Sequence, residues 1–140
     1  MLDKLFLSVG AMKAGTTWLH HQLADHPMIY FTPEKEIHFF ADPDGSNGPM
    51  QPSQRIERFK RVMRNVQPDG LNDRVRRNIA WYGKQYLQDK VSKDWYIDLF
   101  APHKQGQYCS DFSNLYCLMN KSQWEQVRQT AKKILSLIHI

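Results

Sequence analysis

The chain has 140 residues, a formal net charge of +5, 41% hydrophobic residues and 24% charged residues. This composition indicates one soluble domain with a hydrophobic core of its own. It excludes a disulfide framework and a zinc site, because the only cysteines are Cys109 and Cys117. We expect both to be reduced and partly buried, with a bridge between them as the alternative.

The charge and the N-terminal segment narrow the class of protein further. Residues 55–77 carry much of the basic excess, which we expect on solvated helix surface rather than at a nucleic-acid interface, because no basic stripe alternates with aromatic residues. The apolar run at residues 5–9 is too short for a signal-peptide core or a membrane span. We therefore expect a cytoplasmic protein with no membrane span, unless an upstream region is missing. The positive charge suits an anionic ligand.

The first forty residues predict the opening of an α/β unit. The apolar run at residues 5–9 predicts a buried strand of a parallel sheet, and residues 10–15 predict a loop. Apolar spacing predicts a helix at residues 16–24, ended by His26-Pro27, and a second strand at residues 28–31. This order predicts a right-handed connection and two parallel strands.

The remainder of the chain is predicted to be mostly helical. The predicted elements are a third apolar segment at residues 37–40, a loop at 41–54, a mainly helical region at 55–105 with helices at 55–66, within 73–91 and from 94, an irregular segment at 106–116, a helix at 123–133 and a strand at 134–140.

The loop after the first strand is a candidate anion site. Gly10 and Gly15 have the spacing of the P-loop pattern G-x-x-x-x-G-K-[ST], in which backbone N–H groups at a helix N-terminus bind phosphate. The residue after Gly15 is Thr16, however, and the lysine stands inside the loop as Lys13. A nucleoside triphosphatase needs its lysine on the β- and γ-phosphates. The displaced lysine therefore disfavours that class, although two glycines alone could also form a plain turn.

A longer motif is more specific than the two glycines. The run Lys13-Ala14-Gly15-Thr16-Thr17-Trp18-Leu19 resembles the 5′-phosphosulfate-binding loop of sulfotransferases. The resemblance continues through Leu23, His26 and Pro27, and through Lys35-Glu36-Ile37-His38-Phe39-Phe40, which is similar to the KE-x-HFF segment of the heparan-type and related bacterial carbohydrate branches. Residues 95–100 and 106–116 resemble later segments of the family, although Asn114 stands where proline is usual.

The resemblance implies a function and a set of site residues. It implies sulfuryl transfer from 3′-phosphoadenosine 5′-phosphosulfate to a hydroxyl or amine, with a glycan as the expected acceptor and no metal. The donor would be held by Lys13, Ala14, Gly15, Thr16, Thr17 and Trp18, and Lys13 would stabilise the departing phosphate.

Glu36 is the candidate general base, with a surface pair to Lys35 as the alternative. If residues 36–38 form a strand, His38 lies on the same face and could orient Glu36, although it could equally be a structural histidine.

Three further expectations limit this interpretation. The family binds the donor's 3′-phosphate through a pattern similar to R-x-P-x-x-R-x-x-S, which this chain lacks. We therefore expect residues 1–140 to be the N-terminal portion of one sulfotransferase domain without its C-terminal half. We also expect the final residues to be foreign to the native sequence. The isolated chain is expected to have no measurable activity. The alternatives are a P-loop nucleotide kinase or triphosphatase, which would need magnesium, and a non-catalytic fragment.

Overall fold

The computed structural model describes residues 1–10, 13, 15–43, 45 and 48–137. Its strands are β1 (Leu2–Ser8), β2 (Ile29–Phe31), β3 (Tyr108–Phe112) and β4 (Ala131–Leu137), and its α-helices are α1 (Thr16–Leu23), α2 (Pro52–Arg64), α3 (Asp73–Trp81), α4 (Lys93–Asp98) and α5 (Lys121–Thr130). A π turn, Tyr82–Tyr86, continues α3. None of the helices in this described part is long and apolar enough to span a bilayer.

The four strands form one all-parallel sheet in the order β2-β3-β1-β4. The predicted α/β class, with a parallel sheet flanked by helices, is confirmed. The first two strands are parallel as predicted, but they do not pair, because β3 lies between them. Both inner strands are nearly fully buried, since helices cover the sheet.

The prediction of an irregular segment at residues 106–116 is wrong at its centre, where β3 forms an inner strand. Two of its buried residues, Ser110 and Asp111, are polar and interrupt the apolar run that would have indicated a buried strand.

The last helix ends at Thr130 rather than near residue 133. Pairing of Ala131 with Leu2 on β1 begins the last strand at once, three residues earlier than predicted.

Aromatic side chains dominate the core. Trp81, Tyr82, Trp95 and Tyr96 are all buried, so these residues serve packing in the core. Cys109 is buried, whereas Cys117 is exposed, which corrects the expectation that both are partly buried; neither forms a disulfide.

The basic face predicted for α2 is wrong at one position. Arg55 is 1% exposed, while the neighbouring apolar residue Ile56 is 44% exposed. The Arg55 guanidinium donates to the backbone oxygens of Met50 at 3.1 Å and Gln88 at 2.8 Å, and it also donates to Tyr86 O. Bonds to oxygens lower the cost of burying a cation, and here they join α2 to the end of the π turn and the residue Gln88 that follows it.

Candidate functional site

The loop that follows β1 leads directly into α1. Gly15 has a φ of 79°, which an L-residue adopts only with strain, and α1 begins at the next residue, Thr16. Lys13 is exposed, and Ala14 of the predicted donor loop lies outside the described residues. Trp18 is 66% exposed, so it is free to contact a ligand but contributes little to the core.

Backbone strain in the described residues falls on the predicted catalytic groups. Apart from glycines, the described residues with positive φ are Lys13 at 64°, Glu36 at 63° and His38 at 61°. A left-handed conformation in a non-glycine residue costs on the order of 1–3 kcal/mol and persists where surrounding contacts enforce it. Such residues concentrate at functional sites, and these three were singled out from sequence for their chemistry.

The segment that carries Glu36 and His38 is not a strand, which corrects the prediction. It is a buried, irregular stretch that ends in a 3₁₀ turn, Phe39–Ala41. The two side chains nevertheless meet, with Nε2 of His38 3.4 Å from Oε2 of Glu36. The positive φ at both residues, rather than strand alternation, brings them to one side.

Glu36 is held at the carboxyl end of β3. Its backbone N–H donates to the Phe112 oxygen at 3.2 Å, and its Oε2 accepts from the Asn114 N–H at 2.8 Å. Lys35 lies 3.8 Å from Oε1 and also donates to the Thr17 hydroxyl at 2.9 Å. The expected alternative, a pair with Lys35, is therefore present, but Lys35 also joins the Glu36 segment to the helix α1 through Thr17.

His38 is a neutral base in its resting state. Burial, and secondarily the Arg58 cation, lowers the pKa of His38 to about 4. Its Nδ1 atom is buried without a partner in the described part of the chain. The contact with Glu36 is therefore between a neutral ring and a carboxylate, and the Nε2–H tautomer would direct its proton towards Glu36.

One important group, Asp111, was missed by the sequence analysis. It is buried at the end of β3, where its oxygens accept from the hydroxyls of Ser113 at 2.6 Å, Tyr116 at 2.6 Å and Tyr96 at 3.0 Å. The Ser113 oxygen in turn accepts from the His38 backbone N–H at 2.9 Å. Asp111 thus supports the strained His38 backbone through Ser113.

Asp111 should make stability depend on pH in a defined direction. Burial raises its pKa to about 6, against the opposing effect of its hydrogen bonds, whereas an unfolded aspartate titrates near 3.8. Stability from the protonated group is thus complete below the unfolded pKa and is lost as the pH rises through about 6. We expect the wild-type advantage over Asp111→Asn in free energy of unfolding to shrink by roughly 2 kcal/mol between about pH 4 and pH 7.

Urea denaturation at several pH values measures this difference, with Asp98→Asn on the exposed face of α4 as the matched control. The free energy of unfolding of this control should follow that of the wild type at every pH. A wild-type advantage that grows with pH would mean that native Asp111 is ionised and that its hydrogen bonds outweigh burial.

A cleft of about 770 Å³ opens beside Glu36, between its segment and α2. The lining residues are Glu34, Lys35, Glu36, His38, Gly48, Pro49, Gln51, Gln54, Glu57, Arg58, Arg61 and Asn114. Cationic, anionic and amide side chains are interspersed there, an arrangement suited to a polar ligand. Among the described residues, no three His, Cys, Asp or Glu side chains are grouped as metal ligands.

The structure places most of the predicted site at one edge of the sheet. Lys13 follows β1, and Glu36 bonds to the end of the neighbouring strand β3. Carboxyl ends of parallel strands are where ligands bind in open α/β sheets. The sequence matches no protein-family model, and no curated protein or solved structure is similar to it.

Proposed function

We propose that this chain provides the donor loop and the general base of a sulfotransferase, which transfers a sulfuryl group from 3′-phosphoadenosine 5′-phosphosulfate to a hydroxyl or amine, with a carbohydrate as the acceptor. One observation carries the proposal. Among the described non-glycine residues, left-handed backbone occurs at Lys13, Glu36 and His38, the three residues whose side chains the reaction would use. The motif resemblance supplies the identity of the reaction.

The chemistry assigns one task to each end of the site. The acceptor oxygen bonds to sulfur as the bond from sulfur to the donor phosphate oxygen breaks, and negative charge develops on that phosphate. Lys13, with the backbone N–H groups at the start of α1 and the hydroxyls of Thr16 and Thr17, would stabilise this charge. Glu36 would take the proton from the acceptor hydroxyl.

The cleft beside Glu36 is a suitable place for a polyhydroxylated acceptor. Its amide side chains, including Gln54 and Asn114, can exchange hydrogen bonds with hydroxyl groups. His38 lies at the same wall, 3.4 Å from Glu36, where its ring can orient the carboxylate.

The donor assignment predicts that Lys13→Ala weakens binding of adenosine 3′,5′-bisphosphate, the desulfated donor, by about 10- to 100-fold, because a charge-assisted hydrogen bond is lost. Isothermal titration calorimetry measures this effect. Lys90→Ala, which removes an exposed lysine between the π turn and α4, should bind as the wild type does.

Calorimetry also separates the alternatives. Magnesium-dependent binding of ATP without binding of the bisphosphate would instead favour a kinase or triphosphatase. Binding of the bisphosphate by this chain, but no sulfate transfer by any longer protein that contains it, would favour a non-catalytic binding module.

A further inference from the structure

The main chain of Glu36 is held from two sides. Its N–H donates to Phe112, as described above, and its carbonyl oxygen accepts from Nη1 of Arg58 at 2.7 Å. Glu36 has a φ of 63°, so these bonds hold a conformation that an isolated glutamate would leave. The Arg58 bond is charge-assisted, which makes it the stronger of the two.

Arg58 is itself fixed from the core. Its Nη1 lies 3.2 Å from Oε1 of Glu34, and Oε2 of Glu34 accepts from the Tyr82 hydroxyl at 2.8 Å. Tyr82 is buried in the π turn that follows α3. A continuous chain of contacts therefore runs from the aromatic core through Glu34 and Arg58 to the Glu36 backbone.

Glu34 is the middle residue of this chain of contacts, between Tyr82 and Arg58. Burial raises the pKa of Glu34, while the hydrogen bond from Tyr82 and the charge of Arg58 oppose that rise. A half-buried carboxylate is retained where it meets a cation and a hydroxyl donor together. Glu34 thus orients the guanidinium as well as balancing its charge.

We propose that Arg58 is a positioning residue for Glu36: it holds the Glu36 backbone in the left-handed conformation that directs the carboxylate to the Asn114 amide and into the cleft. Arg58 acts on the main chain of Glu36 and has no contact with reacting atoms. The inference rests on the proposed function for its catalytic meaning, but its structural part stands on the contacts alone.

The test compares Arg58→Met and Arg58→Lys with Arg61→Met. Arg61 lies one turn further along α2 and lines the same cleft, but it forms no hydrogen bond or ion pair with the described residues. Amide hydrogen exchange by NMR on residues 1–140 reports the Asn114–Glu36 hydrogen bond. We expect the exchange rate of the Asn114 amide to rise at least about tenfold in both Arg58 variants, because the Glu36 backbone loses the guanidinium bond that holds it. A tenfold rise corresponds to about 1.4 kcal/mol of lost protection.

Two controls separate positioning from a general loss of stability. Exchange at Leu5 and Leu7 in the core strand β1 should stay unchanged in all three variants. The His38 pKa, followed by NMR, should rise in Arg58→Met, where the cation is lost, and stay near the wild-type value in Arg58→Lys, where the cation remains. A purely structural effect would move core exchange and would not distinguish lysine from methionine.

In a longer protein that contains this chain and transfers sulfate, Arg58→Met should lower kcat by about 10- to 100-fold with the donor KM unchanged. Arg64→Met, which changes an exposed α2 arginine outside the cleft, should change neither. Asn114 exchange in Arg58→Met equal to that in Arg61→Met would overturn the proposal. If the wild-type chain does not bind adenosine 3′,5′-bisphosphate, the proposed function is contradicted but the exchange result is unaffected. A failure of the proposed function can therefore be distinguished from a failure of the Arg58 proposal.

Discussion

Glu36→Gln is expected to lower kcat for sulfuryl transfer by about 10²- to 10⁴-fold, measured in a longer protein that contains this chain and transfers sulfate. Glutamine keeps the size of the side chain, and its amide oxygen can still accept from the Asn114 N–H that now holds Oε2 at 2.8 Å. It cannot take a proton from the acceptor. The loss should therefore appear in kcat, with binding of adenosine 3′,5′-bisphosphate unchanged.

Glu57→Gln is the matched control for this substitution. Glu57 lines the same cleft, but its side chain is exposed and pairs with Lys60 at 2.7 Å. In the described part of the chain it forms no hydrogen bond or ion pair with the Glu36 segment. Turnover of this control should stay close to that of the wild type. Near-normal turnover by Glu36→Gln would show that another group takes the proton.

Arg55→Leu should lower the free energy of unfolding by roughly 3–5 kcal/mol, the largest effect on stability that we expect from a single substitution. The reason is that the guanidinium is buried and donates to several backbone oxygens, of which those of Met50 and Tyr86 belong to buried residues. Leucine leaves the carbonyl oxygens of Met50, Tyr86 and Gln88 without the donor that satisfies them, and it loses the contact with the Trp95 ring, whose centroid lies 5.6 Å from the guanidinium.

Urea denaturation followed by circular dichroism measures this effect on residues 1–140. Arg64→Leu is the control, because Arg64 lies on the same helix with an exposed side chain and only a 3.8 Å contact to Glu57. We expect the control to change stability by less than about 0.5 kcal/mol. Equal midpoints for the two variants would mean that the buried guanidinium contributes no more than a surface charge.

The sequence was sufficient to predict elements whose packing is local and apolar. The strand β1, the helix α1 and the strand β2 were all predicted within one to three residues, because apolar runs and His26-Pro27 mark their limits. The strand β3 was not predicted, because the buried polar residues Ser110 and Asp111 interrupt its apolar run, and a partner of Asp111 comes from a distant element. Tyr96, for example, bonds to Asp111 from α4.

The candidate site was likewise predictable only in part. Lys13, Glu36 and His38 could be chosen from motifs, since each stands at a fixed offset from glycine or phenylalanine residues. The left-handed backbone of Glu36 and His38 could not be predicted, because it depends on residues far away in the chain. The Glu36 N–H donates to Phe112 and its carbonyl accepts from Arg58, while the His38 N–H donates to Ser113. The sequence gives only a weak indication of the role of Asp111, namely an acidic residue followed by Ser113 and Tyr116. That pattern can be interpreted only when the position of β3 in the sheet is known.

The strand order also has a consequence for how the chain acquires its structure. The first two strands never pair with each other, and Leu5 instead meets Cys109 on β3. A nascent chain therefore cannot complete any strand pair of this sheet until residues near 109 have left the ribosome. Such distant pairings require large loops to close first, which slows folding and leaves apolar strands uncovered meanwhile. The position of β3 between β1 and β2 therefore favours slow folding and leaves unpaired strands that can associate during synthesis.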